Sequence, residues 1–331
     1  MQAAAVASTG FRMRFRSRFA TVDEAIAASV LRRIGNTPLV RLRHVAADLH
    51  AGVSVYAKLE GFNPGGSVKD RAALQMVRDG INDGRFSDGK VLLDSTSGNT
   101  GIAYAMIGAV LGFPVELCMP RNVSIERKKI LKAFGARIVY TDPMEGSDGA
   151  IIRSQELLAA NPARYFKPDQ YNNPANPKAH RFTTAREIMD QTGGAVTHFV
   201  ASIGTGGTVM GTGEGLRELK PGVKIFAAEP DNPFHGLEGL KHMASSMVPG
   251  IFHEDQLDGK IGVETEAAYE MTRRLAREEG ILVGQSAGAA AIAAIEIARS
   301  LETGLVVCVF PDRGDKYMTT RAWEFEEDFA Q

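Results

Sequence analysis

Short runs rich in β-branched residues alternate with longer helical patterns along most of the chain. Such alternation is typical of α/β proteins, in which parallel strands are joined by crossover helices, and the nearly continuous hydrophobicity of the runs predicts sheets covered on both faces. A Pro/Asn-rich break at residues 161–177 divides the predicted strands four and four, which favours two open sheets over one closed barrel. The predicted strands are VYAKLE, VLLDST, VELCMP, RIVYTD, HFVASIG, KIFAAEP, ILVGQS and LVVCVFP.

Composition excludes several classes of protein. The chain has 331 residues, 44% of them hydrophobic, which is enough for a large core and two domains. Its net charge of -1 creates no field that would favour nucleic acid or an anionic membrane, and it contains no apolar run of the roughly 18 residues that a membrane span needs. Cys118 and Cys308 lie inside apolar runs and are predicted to be core residues, a usage typical of the reducing cytoplasm.

The N-terminal residues form a distinct segment. Four arginines alternate in FRMRFRSRF, residues 11–19, and no acidic residue precedes Asp23. An organelle transit peptide would have this composition, and so would a solvated tail or an edge strand, which we favour. We therefore predict that residues 1–25 form an N-terminal arm.

Two glycine- or hydroxyl-rich segments carry the first chemical signals. In GFNPGGSVKDR, residues 61–71, a turn with three glycines leads into Lys69, and glycine is tolerated where something must approach the chain closely. In STSGNTG, residues 95–101, small polar residues follow a strand and precede a helix, an arrangement that can bind an anion at the positive helix terminus. Helix capping by Ser97, Asn99 or Thr100 is the alternative.

Two further loops follow predicted strands. SIGTGGTVMGTG, residues 202–213, predicts a phosphate cradle built from glycine amides and the hydroxyls of Thr205 and Thr208. It is not the dinucleotide fingerprint, because Val209 occupies the place of the last glycine, and no P-loop pattern occurs in the chain. GQSAGAAAIAA places Ser286 before an alanine-rich helix, which by itself indicates only a capped helix.

One ligand would use all four loops: an aldehyde cofactor with a phosphate arm, held as a Schiff base on Lys69. No metal site is predicted. A binding protein without catalytic activity would be expected to have lost the lysine or the loops, and a nucleotide-binding dehydrogenase would need the missing glycine pattern.

The order of the motifs resembles that of the cysteine synthase and cystathionine β-synthase group of pyridoxal-phosphate enzymes, from about Ile34 to Thr320. The motifs are GNTPLVRL, NPGGSVKDR, TSGNTG, ERKKILKAFGA, QYNNPANP, GTGGT and GQSAGA. The resemblance implies two open, mostly parallel sheets covered by helices, with the cofactor, pyridoxal 5'-phosphate, in the cleft between the domains. It also implies a smaller mobile domain at 47–160, a larger domain formed by 26–46 plus 161–331, and a homodimer.

The resemblance also implies roles for single residues. Lys69 would be the catalytic Schiff-base lysine, Asn99 would contact the cofactor's ring hydroxyl, and Ser286 would be the partner of its pyridine nitrogen. The phosphate would be bound by Gly204, Thr205, Gly206, Gly207 and Thr208. The substrate carboxylate would be held by Thr96, Ser97, Thr100 and Gln170.

The implied activity is that of a cysteine synthase, a transferase that converts O-acetyl-L-serine and sulfide to L-cysteine and acetate through an aminoacrylate. A serine beside the pyridine nitrogen cannot protonate it as a carboxylate would, which favours β-elimination over transamination. Two alternatives stay open: O-phosphoserine sulfhydrylase, for which Lys241 in GLEGLKHM would supply a cation, and cystathionine β-synthase, which uses serine and homocysteine. The expected partners are thus a small amino acid and sulfide or a thiol.

Overall fold

A computed structural model describes residues 19, 21–87, 89–96 and 98–324. In this part of the chain the strands are β1 (Leu39–Arg41), β2 (Gly52–Leu59), β3 (Val91–Ser95), β4 (Val115–Pro120), β5 (Arg137–Thr141), β6 (Tyr165–Phe166), β7 (His198–Ser202), β8 (Lys224–Pro230), β9 (Gly259–Val263) and β10 (Thr303–Phe310). The α-helices are α1 (Val22–Ala27), α2 (Lys69–Asn82), α3 (Asn99–Leu111), α4 (Ile125–Ala133), α5 (Gly146–Ala160), α6 (Ala175–Phe182), α7 (Thr184–Gln191), α8 (Gly207–Leu219), α9 (Thr265–Glu279) and α10 (Gln285–Arg299).

The chain forms two compact units, each assembled from separate segments. The first unit comprises the described residues up to Ile34 together with Lys69–Ala175, and the second comprises Gly35–Val68 together with the described residues from Asn176. The domains predicted at 47–160 and at 26–46 plus 161–331 stay a prediction; β2 pairs along its whole length with β10 and belongs to the second unit. The mobility of a smaller domain and the arm at residues 1–25 stay predictions, and most of that arm lies outside the described residues.

The first unit contains a four-stranded parallel sheet in the order β5-β4-β3-β6. Neighbouring residues of a strand enter different cores, since Leu92 and Leu117 belong to one buried cluster while Leu93 and Cys118 belong to another. Both faces of this sheet are therefore covered, as the continuous hydrophobicity predicts.

The second unit contains a six-stranded sheet in the order β1-β2-β10-β7-β8-β9, in which β1 alone is antiparallel. Val306 and Val307 again enter opposite cores, one beside α10 and the other beside α8. The prediction of two open, mostly parallel sheets covered by helices is confirmed.

The observed strands differ from the predicted ones in several places. ILVGQS is not a strand, because α9 ends at Gly280 and α10 begins at Gln285, which leaves room only for an isolated bridge at Val283. VYAKLE lies in the sheet of the later strands and not in that of VLLDST. The fourth strand of the smaller sheet is β6, inside the Pro/Asn-rich break.

Both cysteines are free and buried, which confirms their prediction as core residues. Burial raises the pKa of the Cys118 and Cys308 thiols to about 12. None of the described helices is long and apolar enough to cross a membrane.

Candidate active site

Two of the predicted loops leave the same edge of the six-stranded sheet. β2, β10 and β7 are neighbours and run parallel, so their carboxyl ends lie side by side. The glycine turn follows β2, and the predicted phosphate cradle follows β7. Ligands of open α/β sheets bind outside the carboxyl ends of the strands, which makes this edge the candidate site of the second unit.

The glycine turn is fixed immediately before Lys69. The Val68 amide donates to the carbonyl of Pro311 at 2.8 Å, directly after β10. The buried Lys316 ammonium donates to the Gly66 carbonyl at 2.9 Å, and Gly66 has a φ of +80°, which favours glycine. Lys69 is the next residue after Val68, is half-buried and begins α2. The turn thus fixes the backbone position of the predicted catalytic lysine.

Asn63 ties this turn to a buried carboxylate. Its amide nitrogen donates to Glu60 Oε2 at 2.8 Å, and its amide oxygen accepts from the Gly35 amide at 2.8 Å. The Thr37 hydroxyl donates to Glu60 Oε1 at 2.7 Å. Gly35 and Thr37 belong to the GNTPLV motif, so this motif stabilises the glycine turn through its hydrogen bonds to Asn63 and Glu60.

A buried lysine extends the same network. The Lys58 ammonium lies 2.7 Å from a Glu187 carboxylate oxygen, donates to the Thr37 carbonyl at 2.7 Å and to Gln191 Oε1 at 2.8 Å. Its side chain is fully buried, so all three contacts replace water. Strand β2 therefore reaches the turn with its last residues rigidly held.

The predicted phosphate cradle, Gly204–Thr208, joins β7 to α8. Gly206 is left-handed with φ +85° and precedes the first helical residue, Gly207, so backbone amides of the helix terminus are directed out of the loop. A Cβ at Gly204 would lie 2.5 Å from the Gly239 carbonyl oxygen, which explains the glycine there. The cradle also carries the hydroxyls of Thr205, which is buried, and Thr208, which is partly exposed.

Two residues that the sequence reasoning missed lie behind the cradle, both on α6. The Asn176 amide nitrogen donates to the Thr205 hydroxyl oxygen at 3.0 Å, and His180 Nε2 lies 3.4 Å from the Thr208 hydroxyl oxygen. Asn176 lies within QYNNPANP, so this motif is the signal that could have indicated them.

Lys241 lies beside the start of the cradle. Its backbone amide donates to the Ile203 carbonyl at 2.9 Å, directly before Gly204, and its side chain is partly exposed. The structure therefore brings the backbone of Lys241 to the carboxyl end of β7.

Ser286 is the second residue of α10 and is buried. Its carbonyl accepts a hydrogen bond from the Ser202 hydroxyl at 2.7 Å, which fixes the start of α10 to the end of β7. No described residue hydrogen-bonds to the Ser286 hydroxyl. This leaves a neutral hydroxyl group, able to donate or accept, near the same sheet edge as the cradle.

The first unit holds the predicted carboxylate-binding residues. The Thr100 hydroxyl donates to Gln170 Oε1 at 2.8 Å, and Gln170 Nε2 donates to the Ser95 carbonyl at 2.9 Å. β3 and β6 are parallel neighbours, so the loops that carry Thr100 and Gln170 follow adjacent strand ends. Asn99 begins α3 and is partly exposed, whereas Ser97 lies outside the described residues.

Thr96 caps the helix of this loop. Its hydroxyl oxygen accepts from the amides of Gly98 and Gly101, each at 3.2 Å, so Thr96 caps the start of α3; Ser97, one of the residues named as a candidate cap, lies outside the described residues. A Cβ at Gly101 would lie 2.6 Å from the Thr96 methyl carbon. The small residues of the loop thus serve its tight packing as well as any ligand.

Below the loop lies a buried carboxyl group. Asp94 accepts from the Tyr104 hydroxyl at 3.0 Å and from the Ser95 amide at 2.9 Å, and Lys167 Nζ lies 3.7 Å away. Burial raises the pKa of Asp94 despite the lysine. The group stabilises the junction between β3 and the segment that carries Gln170.

The chemistry of the donor set fits pyridoxal phosphate. The cradle offers helix-terminal amides and two hydroxyls, and it contains no acidic side chain that would repel a dianionic phosphate. Ser286 offers a neutral hydroxyl, and the glycine turn ends at a lysine. Each unit brings its own share of the predicted residues together.

Known proteins share this sequence and fold. The sequence profile described as "Pyridoxal-phosphate dependent enzyme" matches residues 30–312. A cysteine synthase of Aquifex aeolicus (strain VF5) is 56% identical over 297 residues, which cover 88% of this chain and 91% of that protein.

Solved structures agree with the sequence comparison. A cysteine synthase (OASS) from Entamoeba histolytica superposes with a TM-score of 0.86 at 36% identity, covering 98% of this chain and 95% of that one. An O-acetylserine dependent cystathionine beta-synthase from Helicobacter pylori superposes with a TM-score of 0.84 at 34% identity, covering 90% and 99%. With most of its length matched in sequence and in structure, the chain belongs to the family of pyridoxal-phosphate dependent enzymes.

Proposed function

We propose that the protein is a cysteine synthase, which converts O-acetyl-L-serine and sulfide to L-cysteine and acetate by β-replacement. The observation that carries this function is the 56% identity to the Aquifex aeolicus cysteine synthase over most of both chains. The loops at the carboxyl edges of the two sheets support it, because they supply the groups that such a reaction needs.

Pyridoxal phosphate, when bound, withdraws electrons from the amino-acid substrate and so allows its β-substituent to leave. Lys69 would hold its aldehyde carbon, Gly204–Thr208 its phosphate, Asn99 its ring hydroxyl and Ser286 its pyridine nitrogen. The neutral hydroxyl of Ser286 supports this assignment, since it offers a hydrogen bond without a full charge.

Lys69 has a second task in this proposal: its ε-amine removes the proton from the substrate Cα. An exposed lysine has a pKa of about 10.4, so its ammonium group must first lose a proton before the amine can act as a base near neutral pH. The rigid turn before Lys69 supports this role, because it fixes the backbone from which the amine reaches the substrate.

The substrate carboxylate would be bound by Thr96, Ser97, Thr100 and Gln170. The two hydrogen bonds of the Gln170 amide, one to Thr100 and one to the Ser95 carbonyl, fix the orientation of this side chain. Closure of this loop over the substrate would exclude water from the reacting atoms.

The test is a steady-state assay of the purified holoenzyme with O-acetyl-L-serine and sulfide, read out as L-cysteine. Lys69→Ala should abolish turnover, while Lys178→Ala, an exposed lysine on α6, should retain it. Two half-reactions predict parallel lines in double-reciprocal plots, the pattern of ping-pong kinetics. Turnover of serine with homocysteine, and none of O-acetyl-L-serine, would contradict the proposal and favour cystathionine β-synthase.

Lys241 supports a second candidate, in which O-phosphoserine is the donor. Its backbone is bonded to the end of β7, and a dianionic leaving group would be stabilised by an ammonium group held there. The assay is kcat/KM with each activated serine: Lys241→Met should lower the value for O-phosphoserine about tenfold or more and leave that for O-acetyl-L-serine unchanged. Equal effects on both would show that Lys241 does not select the donor.

A homodimer in the cytoplasm is the remaining part of the proposal. Two free, buried thiols support a reducing compartment. Sedimentation of the holoenzyme at several concentrations tests the dimer.

A further inference from the structure

Thr205 and Thr208 can help to bind a phosphate only if their hydroxyl protons are directed toward it. A hydroxyl group has one proton to donate and accepts at its oxygen. The protein groups that donate hydrogen bonds to the threonine oxygens therefore determine whether the hydroxyl protons can be donated to the ligand.

The Thr205 oxygen receives two hydrogen bonds from the protein. Asn176 Nδ2 donates to it at 3.0 Å and the Gly207 amide at 3.4 Å. With both lone pairs engaged, the hydroxyl is left as a donor, and no described residue accepts its proton. The proton is thus available to an anion in the cradle.

Whether the Thr208 hydroxyl proton is available to the ligand depends on which nitrogen of His180 carries the ring proton. His180 Nδ1 lies 2.9 Å from the hydroxyl oxygen of Thr184, and His180 Nε2 lies 3.4 Å from that of Thr208. If Nδ1 carried the proton, Nε2 would be an acceptor and would attract the Thr208 proton away from the cradle.

The hydroxyl group of Thr184 determines which nitrogen of His180 carries the proton. Its side chain is fully buried, and among the described residues His180 is the one partner of its hydroxyl. A buried hydroxyl proton without an acceptor is unfavourable, so Thr184 donates to Nδ1, and the proton of the neutral ring lies on Nε2. Nε2 then donates to Thr208 and leaves the Thr208 proton for the ligand.

We propose that Asn176 and His180 are positioning residues, which donate to the oxygens of Thr205 and Thr208 and thereby direct both hydroxyl protons to the phosphate of the cofactor. Helix α6 is placed for this role, because a Cβ at Gly207 would overlap with the Asn176 amide and one at Gly211 would overlap with the Pro177 carbonyl. The inference rests on the cofactor-binding part of the proposed function and is independent of the sulfur donor and the amino-acid substrate.

The experiment compares two ligands that differ only in the phosphate. Apoenzyme is titrated with pyridoxal phosphate and with pyridoxal, and binding is followed by the cofactor's absorbance and by the emission of Trp323, the single tryptophan. The quantity of interest is the ratio of the two dissociation constants, because a general loss of folding would weaken both ligands alike.

Asn176→Asp replaces the donor amide with an acceptor and should lower the affinity for pyridoxal phosphate about ten- to a hundredfold while changing that for pyridoxal less than about twofold. His180→Leu should lower the affinity for pyridoxal phosphate about tenfold, whereas His180→Gln, which keeps a donor nitrogen, should stay within about threefold of the wild type. His198→Leu, at the amino end of β7, is the matched control and should leave the ratio unchanged.

If one variant does not fold, as judged by thermal unfolding of the apoenzyme, the other decides. Equal losses for both ligands, or no loss for either, would overturn the roles of Asn176 and His180. A wild-type ratio near one would instead show that Gly204–Thr208 does not bind the phosphate, and the cofactor assignment would fail with the inference.

Discussion

Replacing Lys58 with methionine should lower the free energy of unfolding by about 3 kcal/mol. Methionine has nearly the same length, so the change removes the charge and the donors but little volume. It removes the cation beside the Glu187 carboxylate and the Lys58 hydrogen bonds to the Thr37 carbonyl and Gln191 Oε1, while the Thr37 carbonyl keeps its hydrogen bond from Gln191 Nε2. We take the lower end of the range for a broken buried pair, because the Glu187 side chain keeps 16% of its exposure.

The assay is urea unfolding of the apoenzyme, with the change read from the midpoint at an unchanged m value. For an m value of about 3 kcal/mol/M, the expected shift is about 1 M. Arg321→Met is the matched control: it removes a pair with Glu266 whose side chains are 72% and 52% exposed, and it should change stability by less than about 1 kcal/mol. Equal shifts for the two variants would refute the argument that burial makes the Lys58 network strong.

Two further predictions concern the cores. Cys118 and Cys308 should resist alkylation at about pH 8 in the native protein and react at once in denaturant. Their pKa of about 12 in the folded protein lies above the unfolded value near 9. The stability that the protonated thiols contribute is therefore complete below about pH 9 and is lost as the pH rises toward 12. Gly211→Ala should lower the melting temperature by several degrees although alanine favours helices, because its methyl group would overlap with the Pro177 carbonyl. Glu214→Ala, at an exposed position of the same helix, is the control and should not lower the melting temperature. A higher melting temperature for Gly211→Ala would contradict the packing argument.

The sequence predicted what depends on local pattern. Continuous apolar runs such as VELCMP became strands buried on both faces, and Gly206 and Gly66 occupy left-handed positions in loops that were predicted from their glycines. The phosphate cradle was predictable because its donors are contiguous in the chain.

What could not be predicted depends on contacts between distant segments. Nothing local shows that VYAKLE pairs with β10, about 250 residues later, or that the two-residue strand β6 completes the smaller sheet. ILVGQS has the composition of a strand, but the helices on either side leave it too short. Asn176 and His180 escaped notice because they act through Thr205 and Thr208, and a residue behind a site has no contiguous signal of its own.

The position of β10 between β2 and β7 has a consequence for biosynthesis. Until residues 303–310 have been translated, the larger sheet exists only as two fragments, β1–β2 and β7–β8–β9. At about 5–20 residues per second, roughly 13–50 s pass between the synthesis of β2 and that of its parallel neighbour β10. The second unit therefore closes only after residue 310 has been translated, and until then the edges of β2 and β7 are open to pairing with other chains.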